Sequence, residues 1–405
     1  MTRRETYIIV VIAATLIMLI AIYFIGRGGY TSLENAQKGD IVVFTGLCVR
    51  SKGDFSVLTN GRETVAIYRN LTEGKVYTIK GKLAHEEKKI LYPLEITDGN
   101  AEKLHISNIS GVYWVDHNCY ILIPQKVKLN RCLDIQKGIK VNVRGMFYGN
   151  TFYVLGFEAG NFLAEPRDGL PYKVTGVVLD NGTPTVIWNG REKIKVYLPY
   201  RFHLNLGDKV EILGIARLYS TLTLYVNSPE DVKLIGKARR RPIGKESVGD
   251  IAYGSCQVIK SGRGLSLDCT NLRLYSFPAR TGDIIKFEAL RREGSLVCLN
   301  CSVVLPRENL ENSICNPKRG RIVKIEGKVS WVKVYKNGFG LANITNNTCW
   351  ILLKLKKSLN LELRENQTVT AFGIYTTYRE KPALEVYSRE DVCLGNSCSG
   401  SQQEH

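Results

Sequence analysis

The stretches GKVYTIKG (74–81), GIKVNVRG (138–145), GDKVEILG (207–214), GDIIKFEA (282–289) and NQTVTAFG (366–373) decide the fold. Each opens on glycine, or on Asn366 in its place, and closes seven residues later on glycine or on Ala289. Between the ends apolar residues tend to alternate, as in Val141 and Val143, Val210 and Ile212, or Ile285 and Phe287. That is the period of a half-buried strand. A fixed recurrence of this kind marks a repeated module.

Each run is preceded by a second glycine inside an earlier apolar segment: Gly46, Gly111, Gly176, Gly254 and Gly327. Glycine weakens strand packing, so its repeated placement predicts a bulge or bend that lets one strand serve two sheet edges. Two more strands follow as hairpins. Asn60-Gly61 lies between 55–58 and 64–68, and Asn189-Gly190 lies between 184–188 and 193–198. The glycine-led run supplies a fourth strand, and ILYPLEI, TFYVLGF, LTLYVNS, LVCLNCSVVL or ALEVYS supplies the fifth.

With paired glycines and this strand order, the chain resembles a tandem array of OB-fold domains over about 38–392. The expected fold class is all-β: five OB-like five-stranded Greek-key barrels after an N-terminal transmembrane helix. The modules fall at 38–98, 104–160, 171–235, 247–306 (Cys-rich) and 319–392. A stub and anchor at 1–30 precede them, and a tail at 393–405 follows. Little room remains for a helix between strands three and four, the fifth module is stretched between Trp331 and Trp350, and the fourth replaces its closing glycine with Ala289.

Tyr7–Ile25 carries no charge and is long enough, at about 1.5 Å per residue, to cross a hydrocarbon core of about 30 Å. Gly26, Gly28 and Gly29 follow without a clear cleavage pattern, which favours an uncleaved single span. Arg3 and Arg4 before the span predict a cytoplasmic N-terminus and an extracytoplasmic bulk at the cell membrane. Two features agree with that placement. Glycosylation acceptors occur at Asn70, Asn108, Asn181, Asn300, Asn343, Asn346 and Asn366, and eleven cysteines suit an oxidising exterior.

The cysteines read first as disulfides within thin-cored modules. Cys119 with Cys132 and Cys393 with Cys398 are the local pairs, and Cys256, Cys269, Cys298, Cys301 and Cys315 form a cluster. Cys298-x-x-Cys301 has zinc-like spacing, but it lies in an extended run with no second such pair, so no metal is expected.

A net charge of +18 points to anionic partners: nucleic acid, acidic glycans or lipid headgroups. The OB resemblance implies that strands two and three, with their loops, form the binding face. Single-stranded nucleic acid needs cations for phosphate and exposed rings for bases. Candidate rings are Tyr113, Trp114, Tyr120, Trp188, Tyr197, Trp331, Tyr335, Phe339 and Trp350, each also capable of core packing.

The sequence WVKVYKNGFG places Trp331, Lys333 and Tyr335 on one strand face, with Lys336 beside them. The run KARRRPIGK adds Arg239, Arg240 and Arg241, read either as a phosphate site or as a solvated linker. The five histidines are scattered, and no hydrolase, P-loop or zinc-protease motif occurs. The expected function is non-enzymatic and cofactor-free: binding of single-stranded nucleic acid or another anionic polymer. A scaffold for an envelope protein complex is the alternative.

Overall fold

A computed structural model describes residues 11–20, 32–122 and 125–395. The chain is mostly β. It divides into two compact units, 1–165 with 169–171, and 166–168 with 172–405.

Unit one holds two closed barrels. The first comprises β1 (Ile41–Lys52), β2 (Phe55–Thr59), β3 (Thr64–Ile67), β4 (Val76–His85) and β5 (Ile90–Asp98), in the order β1-β2-β3-β5-β4. The second comprises β6 (Ser107–Val115), β7 (Cys119–Leu122), β8 (Lys126–Leu129), β9 (Ile139–Tyr148) and β10 (Thr151–Phe162), in the equivalent order.

Unit two holds three six-stranded sheets. Sheet three is built from β11 (Pro171–Asp180), β12 (Thr185–Trp188), β13 (Lys193–Tyr197), β14 (Asp208–Leu218), β15 (Leu222–Tyr225) and β16 (Val232–Lys237). Sheet four is built from β17 (Arg240–Pro242), β18 (Ile251–Lys260), β19 (Leu265–Leu267), β20 (Thr270–Tyr275), β21 (Ile284–Arg291) and β22 (Ser295–Leu305). Sheet five is built from β23 (Ile322–Val334), β24 (Gly340–Thr345), β25 (Trp350–Leu355), β26 (Thr368–Tyr378), β27 (Lys381–Glu385) and β28 (Val392–Leu394). In each of these the long first strand of the five-strand set also pairs with the fourth, as β11 with β14, β18 with β21 and β23 with β26. The third and fifth strands run parallel throughout, as in β3 with β5 and β25 with β27. Each sheet wraps its own apolar core, for example Ile325, Ile344, Leu353 and Ala371 in sheet five.

The recurrent glycines mark close approaches between strands. A Cβ on Gly145 would lie 2.0 Å from the Tyr153 carbonyl oxygen of the next strand, and one on Gly327 would lie 2.5 Å from that of Thr345. The expected bulge sits not at the first-strand glycine but three residues beyond it. The register slips between Cys48 and Arg50, Val178 and Asp180, and Val329 and Trp331. In sheet four the residue facing the fourth position of the run is Cys256, opposite Ile285, just as Gly46 faces Tyr77 and Gly111 faces Val141. Cys256, not Gly254, is therefore the structural counterpart.

The hairpin turns are four residues long. Both read NGRE, and in each the asparagine Oδ1 accepts two backbone N–H bonds: Asn60 from Arg62 and Glu63, Asn189 from Arg191 and Glu192. This is an Asx turn.

The expected membrane span is overturned. The described helical segment is 11–20, and at about 1.5 Å per residue its ten residues cover about half of a hydrocarbon core of about 30 Å. No helix among the described residues is long and apolar enough to cross a membrane. The remainder of Tyr7–Ile25 lies outside the described residues. The single-pass placement, with the N-terminus in the cytoplasm and the bulk outside, falls with it, and so does the membrane as a partner.

Candidate nucleic-acid interface

After the bulge near Ser330, β23 turns Trp331 and Lys333 onto the face of sheet five opposite its core. Trp331 lies across from Asn343, and Lys333 across from Leu341. The pairing continues from Asn343 to Leu352 and from Leu341 to Lys354, then to Ala383 and Glu385. Leu341, Leu352 and Ala383 form a small buried cluster outside the barrel core, covered by Tyr335, Phe339 and Tyr378.

Those three rings touch in sequence. Tyr335 and Phe339 stack with centroids 6.0 Å apart, and Phe339 and Tyr378 lie 5.9 Å apart. The turn at 335–339 is fixed by the Tyr335 N–H to the Phe339 oxygen at 2.7 Å and by Gly338, whose φ of +80° favours glycine. The Lys333 ammonium sits 5.3 Å from the Tyr335 centroid, and the Arg379 guanidinium sits 5.6 Å from that of Tyr378. Trp331 remains 39% exposed, and Lys336 is exposed on the turn.

The arrangement offers ring faces beside ammonium and guanidinium groups, the two things a single strand needs. Opposing them is Glu385. A hydrogen bond from Lys356 holds its carboxyl below the ordinary value, reinforced by the charges of Lys356 and Lys354.

The arginine run is not a free linker. Arg240 and Arg241 belong to β17, which lies parallel to β18. Arg240 is ion-paired with Glu288 and lies over Tyr253, while Arg239 and Arg241 are exposed. The described contacts of these arginines do not include the Trp331 stripe.

The remaining candidate rings divide. Tyr113 and Trp114 are buried, and the Tyr113 hydroxyl is tied to the Leu133 backbone. Tyr120 carries Lys126 over its face, Trp188 packs near Gly249, and Trp350 is exposed.

Sequence reasoning missed a row across barrel one. Lys52 lies opposite Phe55, and Lys82 lies opposite Tyr92. Between them Phe55 and Tyr68 meet edge-on at 5.8 Å, while Tyr68 and Tyr92 stack at 6.0 Å. Tyr68 and Tyr92 are 53% and 57% exposed. Sheet three repeats the pair: Tyr197 and Tyr225 face each other across the parallel strands with rings 4.9 Å apart and 8° from coplanar, and both are exposed. A signal was present in the sequence: an apolar residue followed by tyrosine recurs in or beside third and fifth strands, as AIY (66–68), ILY (90–92), KVY (195–197), TLY (223–225) and RLY (273–275).

Disulfides join Cys119 to Cys132, Cys256 to Cys269, Cys298 to Cys301 and Cys315 to Cys349. Cys393 is also disulfide-bonded, and Cys398 lies outside the described residues. Cys48 is a buried free thiol whose pKa is raised by burial. Cys256, Asp268 and Cys269 come close enough to share a cation, but the disulfide removes both thiolates from that role.

Of the acceptor asparagines, Asn70, Asn108, Asn181, Asn300 and Asn366 are exposed. Asn343 and Asn346 are half-buried; the Asn343 amide donates to Ser330 Oγ at 2.6 Å, and Asn346 Oδ1 accepts from the Cys349 N–H at 2.9 Å. A glycoprotein assignment gains no support from these positions.

No family model matches the chain, and no curated protein matches it. Among solved structures, it is similar to the p204 HINb domain, at 11% identity and TM-score 0.21, covering 34% of this chain and 93% of that one. It is also similar to a murine DNA binding protein bound with double-stranded DNA, at 13% identity and TM-score 0.20, covering 35% and 96%. A third is a multidomain protein with nucleic acid binding domains from Streptococcus pneumoniae TIGR4, at 14% identity and TM-score 0.13, covering 46% and 73%. TM-scores this low carry no argument about the fold or ligand of this chain.

Proposed function

We propose that this chain is a non-enzymatic binding protein of five OB-like modules that holds single-stranded nucleic acid, or a comparable anionic polymer, on the outer faces of its sheets. One observation carries the reading. Sheets one, three and five each present mutually packed aromatic rings on their outer face: Phe55, Tyr68 and Tyr92; Tyr197 and Tyr225; and Tyr335, Phe339 and Tyr378. Lysines accompany them, as Lys82 opposite Tyr92 and Lys195 two residues from Tyr197. Rings needed only for packing would turn inward, as Tyr113 and Phe152 do. With a net charge of +18, the phosphate component of binding is favourable for the whole chain.

The test is fluorescence anisotropy of a labelled oligothymidylate against the full chain at rising salt. Each base–ring stack contributes about 1–3 kcal/mol. Trp331→Ala is therefore expected to weaken binding about 5- to 150-fold if the indole stacks fully. Absence of binding at low salt, or affinity indifferent to salt, refutes the proposal.

A further inference from the structure

Between the two barrels of unit one lies a cleft of about 680 Å³, within the size range of small-molecule sites. Its wall on barrel one is the turn before β4, carrying Glu73 and Lys75; its wall on barrel two carries Asn118, Lys128, Asn130 and Arg131. Three cations thus face one carboxylate. Lys75, Lys128 and Arg131 have no carboxylate partner among the described residues. The one acid is already engaged, since Glu73 Oε1 accepts the Ser51 N–H at 2.6 Å.

The walls are fixed before any ligand arrives. Tyr153, which lines the cleft, donates its hydroxyl to the Val49 carbonyl at 2.9 Å and so ties barrel two to barrel one. Beside that bond Leu47, Val49, Leu104 and Met146 form a shared apolar cluster. The turn at 74–75 is clamped on β1 by two backbone bonds to Cys48, of 2.8 and 2.9 Å. On the other wall Asn118 and Arg131 are the chain neighbours of Cys119 and Cys132, which the disulfide holds together. Asn130 is held by its Oδ1, which accepts the Val154 N–H at 2.9 Å. Fixed polar walls lower the ordering cost of binding, and clustered unpaired cations in a concave site focus an attractive field for anions.

We propose that this inter-barrel cleft is a phosphate-binding site, with Lys75, Lys128 and Arg131 as its cations. It is independent of the reading of sheet five. The phosphate would come either from a free phosphorylated compound or from a nucleic-acid backbone, and the two are separable. The experiment compares the full-length wild type with Lys128→Gln/Arg131→Gln. Calorimetry is run with inorganic pyrophosphate, and anisotropy with oligothymidylate across a salt series. Both substituted residues are exposed, so the variant is expected to melt with the wild type.

If the source is a free phosphorylated compound, pyrophosphate binds the wild type and at least tenfold more weakly the variant. If it is a polymer backbone, pyrophosphate does not bind, but the oligonucleotide salt slope of the variant falls by about 1.4, from two lost contacts at about 0.7 each. Wild type and variant indistinguishable in both measurements overturns the site. A wild type that binds pyrophosphate but no oligonucleotide supports the cleft while refuting the function proposed above.

Discussion

Arg307→Met is the most informative perturbation of the architecture behind sheet five. Arg307 is 4% exposed and sits where the chain passes from sheet four to sheet five. Its backbone N–H donates to Asp283 Oδ1 at 2.8 Å, its Nη1 meets Asp391 Oδ1 at 3.0 Å, and its Nη2 donates to the Glu390 carbonyl at 2.9 Å. The guanidinium also lies 4.7 Å from the centre of Phe372. Asp391 is itself buried, so removing the cation leaves a carboxylate without its counter-charge, at a cost of about 3–5 kcal/mol.

Because a chain of several modules does not unfold in one step, the readout is hydrogen exchange by mass spectrometry on the peptide covering β27 and β28. Its slow amides should exchange about a hundredfold to several thousandfold faster, within the ceiling set by global unfolding.

The pH dependence adds an independent check. Burial raises the Asp391 carboxyl above its ordinary value, outweighing the Ser388 N–H bond and the Arg307 charge that lower it. The folded state then holds its proton more tightly than the unfolded state. Stability declines as pH rises from the ordinary carboxylate range through the raised folded value. Loss of Arg307 raises that value further, so the deficit of the variant should shrink on acidification. Arg307→Met/Asp391→Leu should recover most of the protection at neutral pH. Exchange accelerated less than tenfold, or a deficit unchanged by acid, refutes the reasoning.

Two further outcomes follow from the same geometry. Gly145→Ala should destabilise barrel two by about 1–3 kcal/mol through the clash with the Tyr153 carbonyl, whereas Gly156→Ala, with no atom within 4 Å of its Cβ, should stay within about 0.5 kcal/mol, both read by local hydrogen exchange. The depressed Glu385 carboxyl contributes stability that is present above the ordinary carboxylate range and lost as pH falls through its folded value. Glu385→Gln should abolish that acid-limb loss in sheet five, measured by exchange at acid pH, and should tighten oligonucleotide binding by removing an opposing charge.

The architecture was legible because close backbone approach favours glycine, and that need recurs in the same register at Gly81, Gly145, Gly214 and Gly373. Where a different residue fills the first-strand position, as Cys256 does, the pattern pointed to the neighbouring Gly254 instead. Ring orientation was less legible. Tyr113 and Trp114 look as available in sequence as Trp331, and only the register that sends Tyr113 into the core of barrel two, with Trp114 buried on the opposite strand face beneath Lys137, distinguishes them. The row from Phe55 to Tyr92 was harder to read, because the recurring tyrosines do not by themselves show that residues so far apart in sequence are brought side by side by cross-strand pairing. The arginine run misled in one respect: its charge suggests solvation, yet backbone pairing made it a strand.

The passage between sheets three and four has a mechanical consequence. The chain leaves β16, spends only Ala238 and Arg239, and enters β17. Ala238 donates to the Gly207 carbonyl at 2.8 Å, and the Arg239 carbonyl accepts from Ile251 at 2.8 Å. The connector is thus zipped to one sheet on entry and to the next on exit. Tension along the chain loads those bonds at once, with no slack to take up between them, so the joint acts as a short coupling instead of a tether.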